Sequence, residues 1–216
     1  MRELRFSIEG FMNELVPSDA RSSPSTARNK APILEVLRPR LPMSGLVLEI
    51  AAGAGEHAVH MAAVSPELQW LPTDPDPDAL VSIAAWTRRS ALPNLLAAIQ
   101  LDASDPDNWP LQHADAVVSI NMIHISPWTA TQGLMEGAGR VLPPGGPLFL
   151  YGPYFEAEVE PAPSNLAFDA SLKARDPRWG VRNLDDVAGV AAQHGLLFAE
   201  RIDIPANNLI LVFRKA

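Results

Sequence analysis

Residues 47–57 read VLEIAAGAGEH, and the fold of the whole chain follows from them. Val47, Leu48 and Ile50 form a short apolar, partly β-branched run, the pattern of a buried strand. Ala51, Ala52, Gly53, Ala54 and Gly55 follow without a bulky side chain, and Ala58, Val59, Met61, Ala62, Ala63 and Val64 then fit a helix. A strand, a small-residue turn and a helix start make a place where a ligand approaches the backbone closely. Glycine permits positive φ and presents no Cβ, and free amides at a helix start attract oxygen acceptors and negative charge. Asp74 lies 21 residues beyond Gly53, just past a second apolar segment, Leu68–Leu71. An acidic residue at that distance is placed to accept from the two hydroxyls of a ribose, with Asp76 as a nearby rival.

Taken in order, the chain extends this unit into an alternating pattern. Residues 1–26 show no clear period and end in the breaker-rich RSSPST, which reads as an N-terminal arm or lid. Residues 28–40 carry Ile33, Leu34, Val36 and Leu37 and read as an amphipathic helix that Pro32 begins. After the glycine turn and its helix, strands are expected at 68–71, 95–101, 115–121 and 147–151, with helices over 79–89 and 129–142 between them. Such alternation predicts a parallel, doubly wound sheet. A Pro-rich, aromatic insertion spans 152–180, and a helix is expected at 184–194. Two last strands, 196–204 and 208–213, are separated only by Pro205-Ala206-Asn207. That connection is too short for a parallel crossover and must be a hairpin.

Composition narrows the field. Charged residues are 19% and apolar ones 47%, ordinary for a globular domain, and 216 residues suffice for one sizeable core. The net charge of −8 and the absence of any basic run argue against a nucleic-acid surface. With no cysteine there are no disulfides or thiolate metal sites. The first 16 residues, MRELRFSIEGFMNELV, are interrupted by carboxylates and do not read as a signal peptide. The uncharged stretch 141–155 holds four prolines and is no membrane helix, so the expected location is cytoplasmic. Proline, at 21 residues, is about twice its usual share and falls at element ends.

Two nucleoside ligands fit the turn. Gly53, Gly55 and Ala58 satisfy the loose G-x-G-x-x-(G/A) pattern of dinucleotide binders, whereas Glu49, four residues before Gly53, fits the acidic-x-x-x-Gly-x-Gly pattern of S-adenosylmethionine methyltransferases. The terminal hairpin favours the second, since dinucleotide dehydrogenases generally continue with parallel strands.

Seven blocks carry a more specific resemblance: ARNKAPILEVL (27–37), VLEIAAGAGEHAVH (47–60), TDPDPDALVSIAAW (73–86), INMIHISPW (120–128), LPPGGPLFLYGPY (142–154), APSNLAFDASLKARDPRWGVR (162–182) and PANNLILVFR (205–214). In these the chain resembles S-adenosylmethionine-dependent methyltransferase-like proteins of unassigned substrate, the family that includes methyltransferase-like protein 26. The resemblance covers roughly 27–214. It implies an α/β class I methyltransferase fold over 27–216: a doubly wound seven-stranded sheet of five parallel strands plus a C-terminal antiparallel hairpin, with 152–180 as a capping insertion. It implies S-adenosylmethionine as cofactor and a small-molecule acceptor that it does not identify. A cofactor-binding regulatory or scaffolding protein without turnover is the alternative, and an NAD-dependent reductase is disfavoured.

Each candidate residue has a functional and a structural reading. Gly53 and Gly55 let the methionine part of the cofactor lie on the turn, or simply shape it. Glu49 orients the turn or meets the ligand's ammonium, or forms a buried ion pair with Arg28 or Lys30. Asp74 holds the ribose diol or caps a helix. Asp102 accepts from the adenine amine while the Ala103 amide meets a ring nitrogen, or Asp102 is a cap. Asn121, ending the fourth strand, faces the sulfonium, because ligands bind beyond the carboxyl ends of such strands. His124 is a general base or a structural histidine. Tyr154, Asn165, Arg175 and Trp179 of the insertion shape the acceptor pocket, or pack as a surface excursion, and Asn207 and Asn208 face that pocket or make the turn. His57, His60, His113 and His194 have no convergent spacing, so no metal is expected.

Overall fold

The computed structural model describes residues 19–216. The arm or lid expected at 1–26 lies mostly outside the described residues. Its last part is described: helix α1 runs Pro24–Leu37, starting eight residues before Pro32. The RSSPST run is therefore a helix start. The Ser23 side chain accepts from the Ser25 amide, and Pro24 occupies the first turn, where a missing N–H costs nothing. Pro32 sits inside the helix and leaves the Arg28 carbonyl without its helical donor.

The remaining elements alternate as expected. They are β1 (Gly45–Ile50), α2 (Glu56–Val64), β2 (Leu68–Asp74), α3 (Pro77–Ser90), β3 (Ile99–Gln100), β4 (Ala116–Ile120), α4 (Trp128–Val141) and β5 (Pro147–Gly152). After them come β6 (Tyr154–Phe155), α5 (Pro163–Arg175), β7 (Arg182–Asn183), α6 (Leu184–Gln193), β8 (Leu196–Ile204) and β9 (Asn208–Lys215). The main sheet has the order β3-β2-β1-β4-β5-β9-β8. β1 to β5 are parallel and β9 runs antiparallel to both β5 and β8. The third strand is shorter than its apolar run: Leu95 makes one bridge to Trp70, and regular pairing resumes only at Ile99.

Two apolar layers sandwich the sheet. On one side Ile33 and Leu37 of α1 and Ala58, Met61 and Ala62 of α2 pack on Val47, Trp70, Val118 and Phe149. On the other, Leu134, Met135 and Ala138 of α4 and Val187 and Ala191 of α6 pack on Leu48, Val117, Leu148 and Leu211. Strand residues buried on both faces explain the unbroken apolar runs of β4 and β5. β8 is an outer strand. It carries Leu197 and Phe198 exposed at 56% and 44%, and Ala199 is an extra residue where the register shifts between Phe198 and Glu200.

The insertion is built, not loose. β6 and β7 pair in parallel across it. The Asn165 side chain donates to the Asn207 carbonyl (3.0 Å) and Asn207 Nδ2 to Ser164 Oγ (2.9 Å), which ties the start of α5 to the tip of the β8–β9 hairpin. That tip turns through Ala206 and Asn207 at φ +65° and +59°.

Candidate functional site

The strand order reverses between β1 and β4, and ligands of open α/β sheets bind at the carboxyl edge beside such a switch. There the turn after β1 is held by one carboxylate. Asp74 Oδ2 accepts from the Gly53 amide at 2.8 Å, and its Oδ1 accepts from the Asp76 amide at 3.0 Å. Asp74 is 6% exposed, and burial pushes its carboxyl group up while the two amides pull it down. A carboxylate offers about four lone-pair sites, so two such bonds leave it able to accept more. Asp76 is different: it is exposed, and its side chain caps α3 through the Asp78 amide.

The two glycines have different jobs. A Cβ built on Gly53 (φ +57°) meets nothing within 4 Å, so the turn is open on that side. A Cβ on Gly55 (φ +91°) would stand 3.1 Å from the Ile83 backbone, so Gly55 lets α3 pack against the turn. Beneath the turn, Glu49 is 1% exposed and accepts from the Trp70 indole N–H at 2.6 Å. Among the described residues no salt bridge joins it to Arg28 or Lys30. Burial and nearby Asp74 raise its carboxyl group to about 7, against the lowering effect of the indole.

Two cavities flank this centre. One of ≈ 330 Å³ lies at the ends of β1, β3 and β4, lined by Ala51, Pro75, Asp102, Ala103, Met122 and Trp179 among others. Asp102 forms a local turn within it, its Oδ1 accepting from the Ser104 amide and hydroxyl at 2.8 and 2.7 Å. The other, ≈ 530 Å³, lies beyond the ends of β4 and β5, between α1, α5 and the hairpin tip, and is lined by Arg28, Asn29, Asn121, Tyr151, Asn165 and Phe168 among others. Asn121 takes φ +61°, donates its amide to the Tyr151 carbonyl and so sits between the two strand ends.

His124, expected as a base, needs a correction. It is fully buried and lines none of these cavities. Nδ1 accepts from the Arg182 amide at 3.3 Å, the ring meets Tyr154 edge-on at 4.9 Å, and a Cβ on Gly152 would stand 2.3 Å from Nε2. Burial drives its pKa down to about 3, with Arg182 adding to the fall. A base must reach the proton it takes, and this ring is walled off. Arg182 holds the same region together: Nε donates to the Ile123 carbonyl (2.8 Å) and Nη2 to those of Ser126 (2.7 Å) and Arg178 (3.0 Å).

The four insertion residues do not meet at one place. Tyr154 is 5% exposed and packs on His124. Asn165 reaches the larger cavity, while Trp179 lines the smaller one with Arg175 stacked over its ring at 4.9 Å. Asn208 borders the larger cavity, whereas Asn207 serves the turn. Sequence reasoning missed the contribution of α1 altogether. Ser25, Arg28, Asn29 and Pro32 line the larger cavity, and their spacing of three and four residues is that of one helix face. With the helix taken to begin at Pro32, that face was hidden.

The family described as "Protein of unknown function (DUF938)" matches residues 20–215. The chain belongs to that family. Among solved structures it is similar to an O-methyltransferase family protein from Burkholderia thailandensis, with a TM-score of 0.75, 18% identity, and cover of 89% of this chain and 57% of the other. It is similar to human N-acetylserotonin methyltransferase in complex with SAM (TM-score 0.73, 13% identity, cover 89% and 53%). It is also similar to CalO1, a methyltransferase in calicheamicin biosynthesis, in its SAH-bound form (TM-score 0.69, 15% identity, cover 88% and 55%). The fold is that of class I methyltransferases, and the chain spans little more than half the length of these proteins.

Proposed function

We propose that the protein binds S-adenosylmethionine at the carboxyl edge of its sheet and transfers the methyl group to a small-molecule acceptor. The observation that carries this is the pinned turn. Gly53 keeps an open side and its amide is fixed by Asp74, which has acceptor capacity to spare. The residues present fit the cofactor. Asp74 takes the ribose diol. The ≈ 330 Å³ cavity, with Asp102, Ala103 and Trp179, takes the adenine. Gly53 and Asn121 border the sulfonium end, and Glu49 supports the turn from below. The seven sequence blocks support the narrower kinship with methyltransferase-like protein 26, and the solved structures support the chemistry through their fold.

The cofactor, once bound, supplies a methyl group already activated on a sulfonium. The chain's own contribution is alignment and exclusion of water. Asn121, between the ends of β4 and β5, faces the line of transfer. The insertion, clasped to the hairpin tip by Asn165 and to the loop after β4 by Arg182, roofs that edge. His124 and Tyr154 stiffen the roof and move no proton. Calorimetry with S-adenosylmethionine, S-adenosylhomocysteine and NAD tests the ligand class. Binding of NAD in preference to the other two would sink the reading. Single-turnover methyl release against a metabolite pool then separates an enzyme from a cofactor-binding scaffold.

A further inference from the structure

The ≈ 530 Å³ cavity is of small-molecule size, and its lining is one-sided in charge. Among the described residues Arg28 is the sole charged side chain there, and no described carboxylate borders the cavity. Among the described residues no salt bridge engages Arg28, which is exposed on α1. The start of α5, at Ser164 and Asn165, faces the same space, and the N-terminal end of a helix favours negative charge; the start of α1 is already met by Glu56, which accepts from the Ser23 amide at 2.6 Å. The walls are flat and apolar, made of Pro32, Tyr151, Pro153, Phe168 and Pro205. The floor is polar and organised. His57 Nε2 bonds Asn29 Oδ1 at 2.9 Å, which turns the Asn29 amide group toward the Tyr151 hydroxyl.

We infer that this cavity is the acceptor site and that it takes a small, flat, singly anionic molecule. Arg28 grips the anionic group, the ring walls hold the flat body, and Tyr151 and Asn121 flank the reacting atom. The inference rests on the methyl-transfer reading. In the step it serves, a lone pair on the acceptor's oxygen, nitrogen or sulfur forms the new bond to the methyl carbon. The carbon–sulfur bond breaks with its electrons left on sulfur, and any proton on the acceptor atom passes to water. Arg28 touches neither the bond formed nor the bond broken; it is a binding residue.

The test uses the full chain saturated with S-adenosylhomocysteine and two matched pairs of probes, 4-hydroxybenzoate with 4-hydroxybenzamide and salicylate with salicylamide. Calorimetry should show at least one acid bound roughly tenfold or more tightly than its amide, the scale of a charge-assisted pair. Arg28→Gln should remove that preference while leaving the affinity of the amide and of S-adenosylhomocysteine within about twofold, and Arg28→Lys should restore part of it. Equal binding of both acids and their amides overturns the inference. So does an Arg28→Gln variant that loses S-adenosylhomocysteine, because Arg28 would then belong to the cofactor's own carboxylate. Failure of the unmodified protein to bind S-adenosylhomocysteine at all is a different result: it overturns the methyl-transfer reading, and is seen before any acid is added.

Discussion

Gly53 and Gly55 share a positive φ and answer to different neighbours. Gly53→Ala forces a left-handed alanine at a cost of roughly 1–2 kcal/mol, with its methyl in open space. It should weaken S-adenosylhomocysteine binding by calorimetry with only that modest loss on denaturant melts. Gly55→Ala must in addition displace Ile83, so its stability loss should be the larger of the two. If Gly53→Ala leaves affinity untouched, the ligand does not lie on the turn. Asp74→Ala strips an acceptor from the Gly53 and Asp76 amides at once and should cost about 1–3 kcal/mol of stability as well as affinity. Equal affinity of Asp74→Ala and wild type would remove it from the ribose. The glycine turn and Asp74 were legible because a strand–helix–strand unit sets both at strand ends, where ligands bind. The partner of Glu49 was not: Trp70 lies on the same neighbouring strand, and no spacing tells that its indole N–H turns to that carboxylate. The burial of His124 was equally hidden, because Gly180 and Arg182 close over it from more than fifty residues away.

At the level of elements, Arg182 is the clasp between the loop after β4 and the end of the insertion. Its planar fork serves three carbonyls, a geometry that a lysine ammonium does not reproduce. Arg182→Lys should therefore cost on the order of 1–3 kcal/mol and raise amide hydrogen exchange at β6 and β7 in particular. Unchanged protection there would mean that the two elements are held by other contacts. The same scale shows why the parallel strands could be read directly and α1 could not. β1, β4 and β5 are buried on both faces, so apolar runs mark them whatever surrounds them. The Ser-Ser-Pro-Ser run is ambiguous by chemistry: serine and proline interrupt a helix interior and equally serve its first turn. The acceptor side was scattered in sequence for a related reason. Its walls come from α1, the ends of β4 and β5, α5 and a hairpin tip, and no local pattern links them.

For the whole molecule, buried groups set opposing pH trends. The His57 and His124 imidazoles are held at about 4 and about 3 by burial, below their unfolded value. The unfolded chain then binds more protons, and stability falls as pH drops through 6.5 and below. Glu49, raised to about 7, works the other way: its contribution is complete below about 4.5 and is lost as pH rises toward 7. The slope between pH 4.5 and 6.5 is the sum of these opposing groups, with Asp74, also raised by burial, on the side of Glu49. Glu49→Gln removes one opposing group and should make denaturant stability climb more steeply with pH across that window; an unchanged slope would take Glu49 out of the balance. One outer feature has a further effect, on how copies of the molecule tolerate each other. Among the described residues β8 leaves one long side of the sheet unpaired, with Leu197 and Phe198 outward, and near the isoelectric point of about 5.1 mutual repulsion vanishes. The extra residue Ala199 bends that border and spoils it as a template for a neighbouring chain. Deleting Ala199 should straighten the border, and turbidity at pH 5 should then appear at protein concentrations where the wild type stays clear.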